Sequence, residues 1–403
     1  MRLIRNVSLV AALSASAVLM AACGGNSNNN GSSGSSSSGG SLTVPSLSID
    51  SFTNDFSAMS QLSDLAKAGK GKIAVILPDT VTSARYTEFD APYLKEAFQK
   101  AGVSSSNVII QNAQGSDSTQ LTDAKSDITN GASILVVDPL DSGVGAQIES
   151  YATDNGAKVI DYDRLTLGGK RDYYVSFDNV EVGKLIGQGF VSCVTDWKVK
   201  NPDVIVMAGD PTDNNATLFS QGYNGVLASK FSSGWKKAAT PAGTWDAPTA
   251  LTEFQQAFTA NKGVNGVLVP NDANAAPIIN YLKTQGVKPD TFPVTGQDAS
   301  LAGLQNILAG YQCGTAYKPI YLEAQAAAAL AIILNAGKQP PASLVNGTTS
   351  DSKANVDVKS VLMKPEWVTT ANMKSTVVAD KFVPVAQLCQ GKYASACSKF
   401  GIQ

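Results

Sequence analysis

The sequence predicts an α/β protein of two Rossmann-like lobes with parallel sheets, facing each other across a cleft. Three observations carry that expectation. From residue 72 onward, short unbroken apolar runs alternate with stretches of helical apolar spacing, the pattern of strands covered on both faces. The alternation restarts near residue 204 and runs through a second set of similar size. With 403 residues the chain is long enough to give each set its own core.

The chain opens on an export signal. Arg2 and Arg5 precede an apolar run, 7–20, that meets Ala21-Ala22-Cys23-Gly24-Gly25. Residues 1–22 read as a signal peptide, too short for a stable membrane span. A cysteine directly after small residues resembles a bacterial lipobox, with Met20 where leucine is commonest. Cys23 is therefore expected to be the lipidated first residue of the mature chain; an ordinary cleaved signal is the alternative. Residues 26–41 are almost entirely Asn, Gly and Ser, a flexible coil spanning on the order of 20 Å. The tether is expected over 23–71, irregular beyond 42 apart from a helical turn or two around 59–66.

In the first set, strands are expected at 73–77, 108–111, 134–137, 158–161 and 173–177, with helices at 93–101, 120–130 and 144–152. A helix over 182–194 leads to the second set. There, strands are expected at 204–208, 266–269 and 292–295, and helices at 216–230, 251–260, 275–284 and 301–309. A short extended run ends at Lys318-Pro319, followed by an alanine-rich helix over 320–336 and loops rich in Gly, Pro, Asn and Thr. The apolar run 358–363 reads as a last crossing between lobes.

Composition narrows the function. Acidic residues (33) nearly balance basic ones (31), which leaves no electrostatic footprint for nucleic acid. There is no histidine, so Ser-His-Asp and Cys-His catalysis and the His-bearing zinc motifs are excluded. Four cysteines follow Cys23, an even number that favours disulfides in an exported chain. Cys389 and Cys397 bracket a short loop and are expected to pair. Cys193 and Cys313 fall in the second lobe and can pair as well, with buried free thiols as the alternative. No cofactor or metal site is expected.

Polar clusters fall at the C-terminal ends of the expected strands, where α/β sheets place ligands. They are Arg85-Tyr86, Asp161-Tyr162-Asp163-Arg164, the run 209–215, Pro270-Asn271-Asp272 and Gly296-Gln297-Asp298, with Lys318 one helix later. Asp and Asn at strand–helix junctions commonly cap helices, and capping is the expected role of Asp178, Asp272 and Asn214. Capping does not account for the whole set, because Arg85, Arg164 and Lys318 cannot cap a helix N-terminus. Carboxylates, carboxamides, guanidinium groups and an ammonium converging on a cleft fit a sugar, whose hydroxyls donate and accept at once. Aromatic faces complete such a site against the C–H side of the ring. Tyr86 and Trp245 are the candidates, with ordinary lobe core as the alternative for either.

The motifs SFDN (176–179), DPTDNNATLF (210–219), PNDA (270–273), GQDASLAG (296–303) and AYKPI (316–320) stand in that order. Together they resemble the periplasmic sugar-binding proteins of ABC importers, nearest to the D-xylose-binding kind, over 72–383. The resemblance implies the type I periplasmic binding protein fold, with crossovers near Phe177, Lys318 and Lys359 forming a three-strand hinge. The first lobe would be 72–177 plus 318–359, the second 178–317 plus 360–386, with a Cys-containing tail over 387–403. It also implies a ligand between the lobes on Arg85, Tyr86, Asp163, Arg164, Asp213, Asn215, Asn271, Asp298 and Lys318. Tyr86 stands where tryptophan is found in the D-xylose-binding kind, and 239–245, the region of a second stacking aromatic, does not align cleanly.

The expectation is a monomeric, lipid-anchored, extracytoplasmic solute-binding protein and not an enzyme. It would capture a monosaccharide, D-xylose or a similar aldose, and deliver it to an ABC permease. One alternative is a sugar-sensing module for a membrane kinase. Another is a glycoside-processing enzyme using Asp163 and Asp298 as acid and base. Against the latter, the Arg, Lys and Asn neighbours would keep both carboxylates ionised.

Overall fold

Residues 42–402 are described by the computed structural model. The signal peptide, the lipidation site at Cys23 and the coil over 26–41 lie outside the described residues.

The first lobe starts with helix α1 (Ser63–Lys67) and strand β1 (Lys72–Leu77), a run of aliphatic residues buried on both faces. Then come α2 (Ala91–Lys100), β2 (Val108–Asn112), α3 (Asp117–Thr129), β3 (Ala132–Val137), α4 (Ser142–Asp154), β4 (Lys158–Tyr162) and β5 (Tyr173–Phe177). The strands pair in parallel in the order β2-β1-β3-β4-β5, a doubly wound sheet.

Helix α5 (Asn179–Asp196) opens the second lobe, followed by β6 (Asp203–Val206), α6 (Asn214–Ser232), β7 (Lys236–Ala239) and α7 (Ala247–Ala260). The lobe continues with β8 (Gly266–Leu268), α8 (Asp272–Thr284), β9 (Thr295–Gln297), α9 (Leu301–Leu308) and β10 (Gly314–Tyr317). Two short sheets, β7-β6-β8 and β9-β10, meet through a parallel bridge between Val267 and Val294 and through Thr295 Oγ1 on Val269. The resulting order, β7-β6-β8-β9-β10, repeats that of the first lobe.

The chain then returns. Helix α10 (Ile320–Asn335) packs under the first sheet, and β11 (Gly347–Asp351) and β12 (Val356–Met363) extend that sheet beyond β5. β13 (Glu366–Val368) adds an antiparallel strand beside β10 in the second lobe. Helices α11 (Val385–Leu388) and α12 (Ala394–Lys399) complete the chain. No helix among the described residues is long and apolar enough to cross a membrane.

Two expectations are corrected. The third crossover does not fall near Lys359: Ser360–Met363 stay paired with Tyr174–Phe177, so the chain leaves the first sheet only at Lys364-Pro365, where proline withdraws a ladder donor. Residues 42–67 are not tether. Leu47, Phe52, Phe56, Met59, Leu62 and Leu65 are buried in the first-lobe core, Gln325 donates to the Thr53 carbonyl at 2.9 Å, and Ser343 to that of Leu47 at 2.7 Å. The physical reason lies in α10, which is apolar on nearly every face and needs cover on the side the sheet does not reach. In the tail over 387–403, Leu388, Cys397 and Ile402 pack with Leu304, Val377 and Phe382. Two disulfides, Cys193–Cys313 and Cys389–Cys397, tie α5 to the start of β10 and close the tail on itself.

Candidate ligand-binding site

The C-terminal ends of both sheets face one another, and six strand ends contribute. After β1, a π-helical turn (Tyr86–Asp90) presents Tyr86, with Arg85 just before it. Asp163 and Arg164 follow β4; Asp213 and Asn215 follow β6; Asn271 follows β8; Asp298 follows β9; Lys318 follows β10. All ten residues singled out from the sequence, Trp245 included, line one cavity. Asp163 and Asp298 have left-handed backbones, φ +57° and +89°, a region that residues with a side chain adopt uncommonly.

Charge is arranged in opposed pairs. Lys318 Nζ stands 3.4 Å from Asp298 Oδ1 and 3.7 Å from Asp163 Oδ1, linking the second lobe to the first. Arg164 reaches across to Asp213 at 3.4 Å and donates to the Tyr86 hydroxyl at 2.8 Å. Burial alone would raise the Asp163 carboxyl, but Arg85, Lys318 and Arg164 outweigh it and hold the group below its ordinary value. Burial pushes Asp213 the other way, against the pull of Arg164.

The structure separates residues that present free groups from residues that support them. Arg85 lines the cavity, yet its guanidinium binds Asp90 at 2.9 and 2.7 Å, Glu323 at 2.6 Å and Asp163 at 2.6 Å. It orients Asp163 and has little left for a ligand. Asn215 is similarly committed: Nδ2 donates to the Asp163 carbonyl at 3.0 Å and Oδ1 accepts from Asn179 at 2.8 Å. Asp178 caps α5 as expected. The other two caps fall one residue earlier than expected, on Asp213 and Asn271 rather than Asn214 and Asp272. Asp272 instead faces inward, and burial, reinforced by Asp298, pushes its carboxyl up to about 7.

Aromatic groups form the walls. The Tyr86 ring lies 5.7 Å from the guanidinium carbon of both Arg85 and Arg164. The Trp245 indole N–H donates to Asp213 at 3.0 Å, and its ring fills the space where a side chain on Gly209 would stand. Thr82, Ser83 and Phe219 also line the cavity and were not singled out from the sequence, and Gln297 joins them from the strand-end cluster 296–298. Phe219 meets Trp245 edge to face at 6.4 Å. Phe219 and Gln297 sit inside two of the motifs quoted above, which was the available signal; Ser83, in an irregular loop, carried none.

Comparison with known proteins identifies the family. A family model described as a periplasmic binding protein domain matches residues 73–339. The D-xylose-binding periplasmic protein of Escherichia coli is 35% identical over 293 residues, covering 72% of this chain and 86% of that protein. A multiple sugar-binding periplasmic protein of Azospirillum brasilense is 31% identical over 337 residues, covering 79% and 91%. Among solved structures, a carbohydrate transporter solute binding protein from Chloroflexus aurantiacus in complex with D-glucose is similar, with a TM-score of 0.69 and 27% identity. It covers 78% of this chain and 97% of that one.

Proposed function

The chain belongs to the periplasmic sugar-binding proteins of ABC transporters, and on that footing we propose that it captures D-xylose or a closely similar aldose and hands it, chemically unchanged, to a membrane permease. Its relatives are solute-binding proteins, not enzymes.

One observation carries the choice of ligand. Three cations (Arg85, Arg164, Lys318) and three carboxylates (Asp163, Asp213, Asp298) line the same cavity, so the site asks for no net charge. Within it, Asp298 Oδ1 and Gln297 Oε1 are buried acceptors without a hydrogen-bond partner. A neutral molecule rich in hydroxyls satisfies such a site, and a wrong epimer would leave groups unpaired at about 1–3 kcal/mol each. D-xylose is favoured because two relatives at 35% identity carry that ligand in their names. Contacts made from both lobes stabilise the closed form over the open one, and the closed form is what the permease receives. Acylation at Cys23 holds the monomer on the outer side of the cell membrane.

A thermal-shift screen over pentoses, hexoses and polyols tests the reading. One aldopentose should raise the unfolding temperature with the logarithm of its concentration, whereas no shift with any sugar would end the proposal. Replacing Cys23 with serine should release the protein from the membrane fraction.

A further inference from the structure

Asp272 takes no part in the wall of the sugar cavity, yet its side chain is buried next to the residues that do. It opens α8, directly after the cap Asn271. Its contacts run to the turn that carries Asp298 and to the approach and body of β10 alongside. Oδ2 accepts from the Ser300 amide at 2.8 Å and the Ser300 hydroxyl at 3.2 Å. Oδ1 accepts from Gln312 Nε2 at 2.7 Å, and the Thr315 hydroxyl reaches both oxygens, at 3.1 and 3.2 Å. Thr315 Oγ1 in turn accepts from the Ala299 amide at 3.1 Å, which commits its own hydrogen to Asp272.

Three successive amides are thereby held in place: Asp298 on the Ala316 carbonyl at 2.9 Å, Ala299 on Thr315, and Ser300 on Asp272. The turn needs holding. Asp298 and Ala299 both have positive φ, +89° and +50°, which an unsupported segment would relax. Gly296 and Gly303, on either side, have no room for a side chain because the Asp272 carboxylate occupies that space. The carboxylate and the turn are built around each other.

We infer that Asp272 is a positioning residue for sugar recognition: it holds the 298–300 turn so that the Asp298 carboxylate presents its hydroxyl-binding oxygen to the cleft, and it acts on the ligand only through Asp298. This rests on the sugar-binding reading above.

Calorimetric titration of a sugar that binds the wild type, together with its monodeoxy analogues, tests the inference. Asp298→Asn first identifies the hydroxyl that Asp298 holds, as the one whose deoxy analogue binds wild type and variant equally. Two variants that conserve shape then probe the support. Asp272→Asn can refold its contacts, because Gln312 Oε1 has no hydrogen-bond partner and a turned carboxamide would accept from the new amide. Thr315→Val cuts the link to Ala299 without touching the cavity. Each should lose about tenfold in affinity for the parent sugar, the scale of one hydrogen bond to a charged group, and nothing for that one deoxy analogue. Equal losses across the whole series, or no loss at all, would overturn the inference while leaving sugar binding intact. A wild type that binds no sugar would instead remove the reading beneath it, and the inference with it.

Discussion

The Ser83 hydroxyl donates to Oδ2 of Asp298 at 3.2 Å, joining a loop of the first lobe directly to a strand end of the second. The bond exists only while the lobes are together. It therefore contributes to the closed form and nothing to an open one. Ser83→Ala should cost about 0.5–1.5 kcal/mol of closure, a fall of roughly two- to tenfold in sugar affinity. Small-angle scattering of the sugar-free variant should show a larger open fraction. An unchanged affinity with an unchanged profile would mean the bond does not bear on closure.

Asp298→Ala should abolish measurable sugar binding while leaving the unfolding temperature near that of the parent, because the lost carboxylate faces the cavity. Arg164→Ala should abolish binding too, but at a cost in stability. It strips the counter-charge from Asp213 at 3.4 Å and Asp138 at 3.6 Å, both buried. A buried charge left unpaired costs about 3–5 kcal/mol. Titration calorimetry beside thermal unfolding separates the two cases, and near-native affinity in either variant would remove that residue from the site.

Arg85 faces three carboxylates, Asp90, Asp163 and Glu323, so its one charge cannot balance them all. Burial, with help from Asp163 and Asp90, pushes Glu323 up to about 8 against the pull of Arg85. The folded protein thus holds this proton more tightly than the unfolded chain. Its contribution to stability is complete below the ordinary glutamate value and is lost as pH rises through about 8. Glu323→Gln mimics the protonated form and should flatten the decline. Urea midpoints at pH 5 and pH 9 check this: a decline as steep in the variant as in the parent would contradict it.

The two disulfides should differ in worth. Cys193–Cys313 closes a separation of 120 residues and Cys389–Cys397 one of 8. Loop-closure entropy grows with length, so the long bridge should contribute roughly 2 kcal/mol more than the short one. Cys193→Ser with Cys313→Ser should therefore lower the urea midpoint further than Cys389→Ser with Cys397→Ser. The reverse order would show that strain or residual structure dominates.

Much of the fold was legible because its signals are local. The apolar runs of β1 and β3 and the turn chemistry after them identify strands and their polar ends without any partner. β7, with the sequence KKAA, and β11, with GTTSD, were missed for the matching reason: they are edge strands, polar along much of their length, and only pairing makes them strands. Residues 42–67 were read from the low-complexity stretch before them. The better signal stood far downstream, in the nearly all-apolar surface of α10 that the segment covers.

What the sequence determined alone was the inventory: two α/β runs, and ten polar or aromatic residues at strand ends that all reach one cavity. What the tertiary structure decided was how each atom is spent. Arg85 and Glu323 lie 238 positions apart and Ser83 and Asp298 lie 215 apart, so no window of local pattern contains either pair. Periodicity reports which face a residue occupies. Only tertiary packing, within a lobe and between the two, shows whether a side chain arrives free for a ligand or already bound to a neighbour.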